Sequence, residues 1–375
     1  MTLDIHCKLG KAHDASNRLT LGDGMLKAAV IGAGHFAYRM HIPVLAARTE
    51  VVLDSVCRLG RAELDLIRDE FGFVFATENW RVVLDRDIDI AIIASPHDLH
   101  YEQARAFLEK GCHVLVEKPM CLDPEEAWSL VETAERSGRE LLVAYGWNYK
   151  DGFTQIRDFA ARIGTIEHVV CHMASFTRGI FSGGGINRWK HIAIQPERST
   201  WEAPNQGGGY AYGQLSHALG ILFWATDLRA ATVQASVFQA PSTIDLHDAA
   251  AVRFTNGATG VFSGSCGVPD GHGFEVDIRL YGDQGSLLLD IETERLVLKT
   301  PDGQTEIAPV TPGAWQYSCE GPANRLVDIA LGQGSNESPG DVGARSVEAL
   351  HALLRSSEAG GAPYNISRKK KAEIT

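Results

Sequence analysis

Four short constellations in this chain carry residue types that do chemistry. Gly32-Ala33-Gly34-His35-Phe36-Ala37 follows a short apolar run and opens a helical pattern. Glycine at 32 permits a tight turn, glycine at 34 lets a pyrophosphate approach the backbone, and Ala37 keeps helix and strand close. Ser95-Pro96-His97 ends a second apolar run, and Glu117-Lys118-Pro119 ends a third, Cys-His-Val-Leu-Val at 112–116. Pro119 restricts Lys118 to an extended backbone, so the ammonium is presented in a set direction. The fourth is Gly207-Gly208-Gly209, which leads to Gln214 and His217. Histidine, with an ordinary pKa near 6.5, takes or gives a proton at neutral pH. Alone, a Lys-Pro would be a surface loop and a histidine an interface hydrogen bonder; their order along the chain argues otherwise.

The elements around them follow a repeating plan. Apolar strands are expected at 26–31, 51–57, 88–94, 112–116 and 140–145, with helices at about 35–47, 61–70, 98–110 and 124–137. Such alternation predicts a Rossmann-type α/β fold with a doubly wound parallel sheet. Ligands of these sheets bind outside the carboxyl ends of the strands, where Gly32, Ser95 and Lys118 all fall. After a helix at 151–162, strands are expected at 165–177, 229–239, 248–255, 258–266, 274–282 and 285–290, then a helix at 341–358. Asn256-Gly257 and Gly282-Asp283-Gln284-Gly285 are hairpin signals. This half is therefore a C-terminal α+β domain with an open, mainly antiparallel sheet. The expected division is an extension at 1–24, a dinucleotide-binding domain at 25–146, a substrate and oligomerisation domain at 147–362, and a basic tail at 363–375. Residues 178–209 form a long irregular segment, of a length that is uncommon unless functional or disordered.

The end of the second strand selects the cofactor. An acid there would bind ribose hydroxyls, whereas an arginine would accept a 2′-phosphate. The residue is Arg58, and Asp54 lies four positions too early. NADP is the expected cofactor, with NAD possible. Its site is expected to comprise Gly32, Gly34, His35, Phe36, Arg58, Ser95, Pro96, His97, Glu117 and Lys118.

With the nucleotide loop, Ser95-Pro96-His97 and Glu117-Lys118-Pro119 in this order, the chain resembles the glucose-fructose oxidoreductase / inositol dehydrogenase (Gfo/Idh/MocA) family over about residues 25–360. The resemblance implies oxidation or reduction of a sugar, sugar derivative or cyclitol at a secondary alcohol or ketone. It places Lys118 near the nicotinamide ribose and the reacting carbon, and Ser95-Pro96 beside the nicotinamide. It also implies a homo-oligomer, dimer or tetramer, formed through the second sheet. In the family pattern an aspartate precedes the histidine by four residues and a second acid often follows it by three. Here those positions are Gly213 and Gly220. Catalysis is therefore expected from Lys118 and His217, with Gln214 on the same helical face. Expected substrate contacts are Trp147, Asn148, Lys150, Arg188, Trp189, Gln214 and His217. Two alternatives are a bound nicotinamide used transiently for epimerisation or elimination, and a non-catalytic nucleotide-binding paralogue.

Composition excludes several other classes. A formal net charge of −12 disfavours nucleic acid or an anionic membrane as partner. No apolar stretch approaches the ~20 residues that span a bilayer. The 7 cysteines are odd in number, lie largely in apolar runs and lack CxxC spacing, so a reduced, cytoplasmic setting is expected. His97, His100 and His113 fall on a turn, a helix and a strand, and no metal site is expected.

Overall fold

A computed structural model describes residues 24–182, 192–195, 198–239 and 243–367. The proposed contacts Arg188 and Trp189, the extension before Gly24 and the basic residues 368–371 lie outside the described residues.

Six strands form the first sheet: β1 (Leu26–Ile31), β2 (Val51–Cys57), β3 (Phe75–Thr77), β4 (Ile90–Ile93), β5 (His113–Val116) and β6 (Leu141–Val143). Their order is β3-β2-β1-β4-β5-β6, and every pairing is parallel. The order reverses between β1 and β4, which opens a crevice at their carboxyl ends. Helices α1 (Ile42–Ala46), α2 (Arg61–Phe71), α3 (His100–Glu109) and α4 (Pro124–Ser137) connect the strands. α4 shows why such helices form where they do. Asp123 accepts hydrogen bonds from the backbone N of Glu125 and Glu126, Pro124 opens the first turn, and Gly138 ends the helix at φ 63°. Removing the Asp123 cap would cost about 1 kcal/mol.

The second half begins with α5 (Gln155–Arg162), four residues later than expected, and β7 (Ile166–Ala174). Helical turns α6 (Arg178–Phe181) and α7 (Ser199–Glu202) lie in the long segment, followed by α8 (Ser216–Ala225). β8 (Ala230–Gln239), β9 (Asp245–Phe254), β10 (Thr259–Ser265), β11 (Glu275–Gly282) and β12 (Gly285–Asp290) match the expected strands to within a few residues. β13 (Arg295–Lys299), β14 (Thr305–Ile307) and α9 (Glu320–Ala330) were not expected, and β3 likewise. α10 (Gly340–Glu358) and β15 (Tyr364–Asn365) complete the described chain. The second sheet runs β14-β13-β12-β11-β7-β10-β9-β8-β15. Its pairings are antiparallel except β7 with β10, which is parallel, so the sheet is mixed.

Two cores result. Ala28, Val30, Ile90, Ile92, Leu115 and Leu142 point to one face of the first sheet, where Ala323, Leu326 and Val327 of α9 cover them. The opposite face, with Ile31, Ile93, Val114 and Val116, joins a core that continues through α8 to Val252, Phe262 and Leu280 of the second sheet. Trp128 of α4 donates to Glu348 of α10 at 2.8 Å, and Arg229 pairs with the same carboxylate. Among the described residues no helix is long and apolar enough to cross a membrane.

Candidate active site

The nucleotide loop starts where β1 stops. Gly32 adopts φ +79°, and the N–H groups of Gly32 and Ala33 donate to the Cys57 carbonyl at 2.9 and 3.0 Å. A β-carbon on Gly32 would lie 2.2 Å from the backbone nitrogen of Ser95, so only glycine lets the loop rest against Ser95-Pro96. On Gly34 a β-carbon would meet nothing nearer than the Gly32 carbonyl at 3.8 Å, which leaves open space above the loop. That space suits a pyrophosphate. The single helix expected at 35–47 is instead a π-helical turn, Ala37–His41, followed by five-residue α1. Pro43 has no N–H to give the Arg39 carbonyl, so a regular ladder cannot run through this point.

Other expected cofactor residues are placed as follows. His35 is buried, with Nδ1 2.6 Å from the Ile194 carbonyl, and burial lowers its pKa. Phe36 sets its ring against that of His41 at 5.6 Å. Arg58, half-buried just past β2, donates Nη1 to the Ala33 carbonyl at 3.3 Å and Nε to the Leu59 carbonyl at 2.9 Å. Its guanidinium therefore lies against the loop. Asp54 is engaged with Arg86 at 2.5 and 2.8 Å and with Ser55 at 2.7 Å. Ser95 Oγ donates to Gln103 at 2.5 Å. His97 is buried edge-on to His100, and burial pushes its pKa well down. His100 joins two strand ends, with Nδ1 2.9 Å from the Pro119 carbonyl and Nε2 2.7 Å from that of Ser95.

Lys118 and His217 come together from opposite halves. Lys118 is 7% exposed and donates Nζ to the Gly213 carbonyl at 2.6 Å. Glu117 beside it binds His41 Nε2 at 2.7 Å through one oxygen and accepts from the Lys118 backbone N at 3.2 Å through the other. Burial lowers the pKa of Lys118, against the opposing pull of Glu117. Burial, and secondarily the Lys118 charge, holds His217 well below 6.5, so its ring is neutral at neutral pH. Residues Ala211–Leu215 form a second π-helical turn, a local form often found at functional sites. Three-residue spacing across it does not have its α-helical meaning, so the expected shared face of Gln214 and His217 lacks its basis. Gln214 is buried and its Oε1 has no partner among the described residues.

The structure also shows what occupies the places of the missing acids. A β-carbon on Gly213 would lie 3.1 Å from Cζ of Phe181 and 3.8 Å from Trp201. At Gly220 it would lie 2.6–2.7 Å from three ring atoms of Tyr145. Both positions face aromatic rings. His217 Nδ1 is buried without a partner among the described residues, and the ring is instead bracketed edge-on by Trp147 at 5.5 Å and Tyr317 at 5.0 Å. Substituting Gly220→Ala is expected to destabilise the fold by ~1–3 kcal/mol through overpacking against Tyr145. A denaturant titration with an unchanged midpoint would contradict this packing argument.

Trp147 is buried and donates Nε1 to the Trp315 carbonyl at 2.9 Å. Asn148 donates to the Glu337 carbonyl at 3.1 Å, and Lys150 donates to Ser318 Oγ at 2.9 Å. Sequence reasoning missed His41, Tyr317, Cys319 and Asp245. Asp245 accepts from Ala211 N at 2.5 Å and so caps the turn that leads to His217. A β-carbon on Gly209 would lie 2.1 Å from its Oδ1, which is why the run 207–209 ends in glycine. Among the described residues, no three His, Cys, Asp or Glu side chains cluster as metal ligands.

Comparison with known proteins bears on this geometry. A D-glucoside 3-dehydrogenase of Escherichia coli K12 is 30% identical over 126 residues, 33% of this chain and 35% of that protein. The chain thus matches about a third of that relative's length. An oxidoreductase domain protein of Kribbella flavida superposes with a TM-score of 0.74 at 21% identity, over 92% of this chain and 100% of the other. An inositol dehydrogenase homologue of Azotobacter vinelandii, solved with NAD+, gives a TM-score of 0.72 at 20% identity, over 92% and 98%. Residues 26–145 match the oxidoreductase family model with an NAD-binding Rossmann fold, and residues 159–288 match the C-terminal domain of the same family. The chain belongs to the Gfo/Idh/MocA family of NAD-binding oxidoreductases.

Proposed function

We propose that this chain interconverts a secondary alcohol and a ketone of a sugar, sugar derivative or cyclitol, with a nicotinamide dinucleotide as redox partner. One observation carries the reading: a buried ammonium, Lys118, and a buried neutral imidazole, His217, meet beside an open glycine loop. The dinucleotide would be held by Gly32, Gly34, Arg58, Ser95 and Pro96, and when bound would exchange a hydride with the substrate carbon. In the oxidative direction a ring nitrogen of His217 takes the hydroxyl proton. Lys118 Nζ stabilises the negative charge that develops on that oxygen. Trp147 supplies an apolar face for a sugar ring. The related D-glucoside 3-dehydrogenase and the inositol dehydrogenase homologue support a polyol substrate.

The direct test follows nicotinamide absorbance with methyl β-D-glucoside, myo-inositol and a wider sugar panel. Tight cofactor binding without transfer to any of them would favour a binding protein. Product formation without net change in cofactor would favour transient use of a bound nicotinamide. For the cofactor we infer NADP, because Arg58 stands at the strand end while Asp54 is engaged with Arg86. Arg58→Ala should lower kcat/KM for NADP at least about tenfold more than that for NAD, the scale of one charge-assisted hydrogen bond. Equal losses with both cofactors would refute the assignment.

A further inference from the structure

Tyr317 lies outside both matched stretches, on the segment between β14 and α9. Its ring sits edge-on to His217 at 5.0 Å, to Trp147 at 4.7 Å and to Phe274 at 5.7 Å. The segment is seated firmly. A β-carbon on Gly146 would lie 2.1 Å from the Ser318 carbonyl oxygen and 3.1 Å from Tyr317 Cε2, and Lys150 is anchored on Ser318 Oγ. Cys319 Sγ donates to the Tyr317 hydroxyl at 3.1 Å. That contact uses a lone pair of the phenol oxygen. Beyond this weakly bonding sulfur, the phenol oxygen has no hydrogen-bond partner among the described residues.

We propose that Tyr317 is a third substrate-contacting residue, whose phenol donates a hydrogen bond to the oxygen on the reacting carbon beside Lys118 and His217. This rests on the reading that Lys118 and His217 form the reaction centre. The phenol remains neutral: burial, then the neighbouring Cys319 and Glu117, push its pKa well above 10. It therefore donates a hydrogen bond without surrendering the proton. The carboxylates that the family pattern would place at Gly213 and Gly220 can only accept hydrogen bonds when ionised. Exchanging an acceptor for a neutral donor favours a substrate oxygen that is a carbonyl or a developing alkoxide.

The test compares Tyr317→Phe, Lys118→Met and His217→Asn side by side, using whichever of methyl β-D-glucoside, myo-inositol and the panel sugars turns over. Tyr317→Phe keeps the ring contacts and removes only the hydroxyl. We expect kcat to fall 10- to 100-fold, with cofactor dissociation constant and melting temperature unchanged and the acid limb of the pH profile retained. Wild-type kcat and KM in Tyr317→Phe, with the other two variants inactive, would overturn the role of Tyr317 alone. Full activity in Lys118→Met and His217→Asn would instead overturn the underlying reading. A loss confined to cofactor binding in Tyr317→Phe would assign the phenol to packing and also refute the proposal.

Discussion

His217→Asn lowers kcat by at least ~100-fold while leaving cofactor affinity near that of the unsubstituted protein. A positioned acid–base group contributes on that scale, and no carboxylate stands at residue 213 or 220 to share the task. Asparagine preserves polarity and roughly the size of the ring's near half, but it cannot take up a proton at neutral pH. The pH profile carries a second signature. Burial and the Lys118 charge hold the imidazole below its ordinary 6.5, so oxidation should stay near its plateau as pH falls through 6.5 and decline only further into acid. Stability follows the same direction. The unfolded ring binds a proton more readily than the folded one, so its contribution is full above about pH 6.5 and is lost as pH falls below that value. An acid limb at 6.5 or above in steady-state rates would contradict the buried, neutral histidine.

Lys118→Met should be equally damaging for a different reason. Methionine fills much of the same volume without charge, so the change removes stabilisation of the substrate oxygen and the hydrogen bond to Gly213. Removing one preorganised donor of this kind costs about 10²–10³ in kcat. The variant should also move the acid limb of the profile upward, because the positive neighbour that depresses His217 is gone. In the unsubstituted protein burial lowers the Lys118 pKa. The ammonium therefore discharges below pH 10.5, and the alkaline limb should begin below that value. A profile for Lys118→Met that is lower but not displaced would show that the two groups are not electrostatically coupled.

Much of this architecture was legible in residue order. The strands of the first sheet other than β3 are largely buried and read as continuous apolar runs, while Asn256-Gly257 marked the β9–β10 hairpin. α9 was missed although Ala323, Leu326 and Val327 carry helical spacing. Gly321 and Pro322 resemble a loop, yet a proline in the first turn costs little because the N–H it lacks has no helical partner. β13 was obscured by charged flanks, Arg295 and Lys299, around only three buried apolar residues. At the site, Lys118 and His217 were marked by their motifs. Their surroundings were not, because Tyr317, Phe181 and Asp245 reach the site from segments whose placement depends on tertiary packing. Glycine at 213 and 220 read as missing acids; the Tyr145 ring that excludes a β-carbon at 220, and the Phe181 ring that crowds one at 213, leave no local signal.

The return of α9 to the first sheet has a consequence for how this chain can be divided. Its apolar face, Ala323, Leu326 and Val327, forms part of the nucleotide-binding half although about 175 residues of the second half precede it. A fragment cut after β6 would expose that seam, so the Rossmann half is not self-contained. The segment leading into α9 is laced to the cofactor side as well. Tyr317 meets His217 and Phe274 of the second half, and Trp315 N donates to Glu294, so this one segment ties the two halves together across the site.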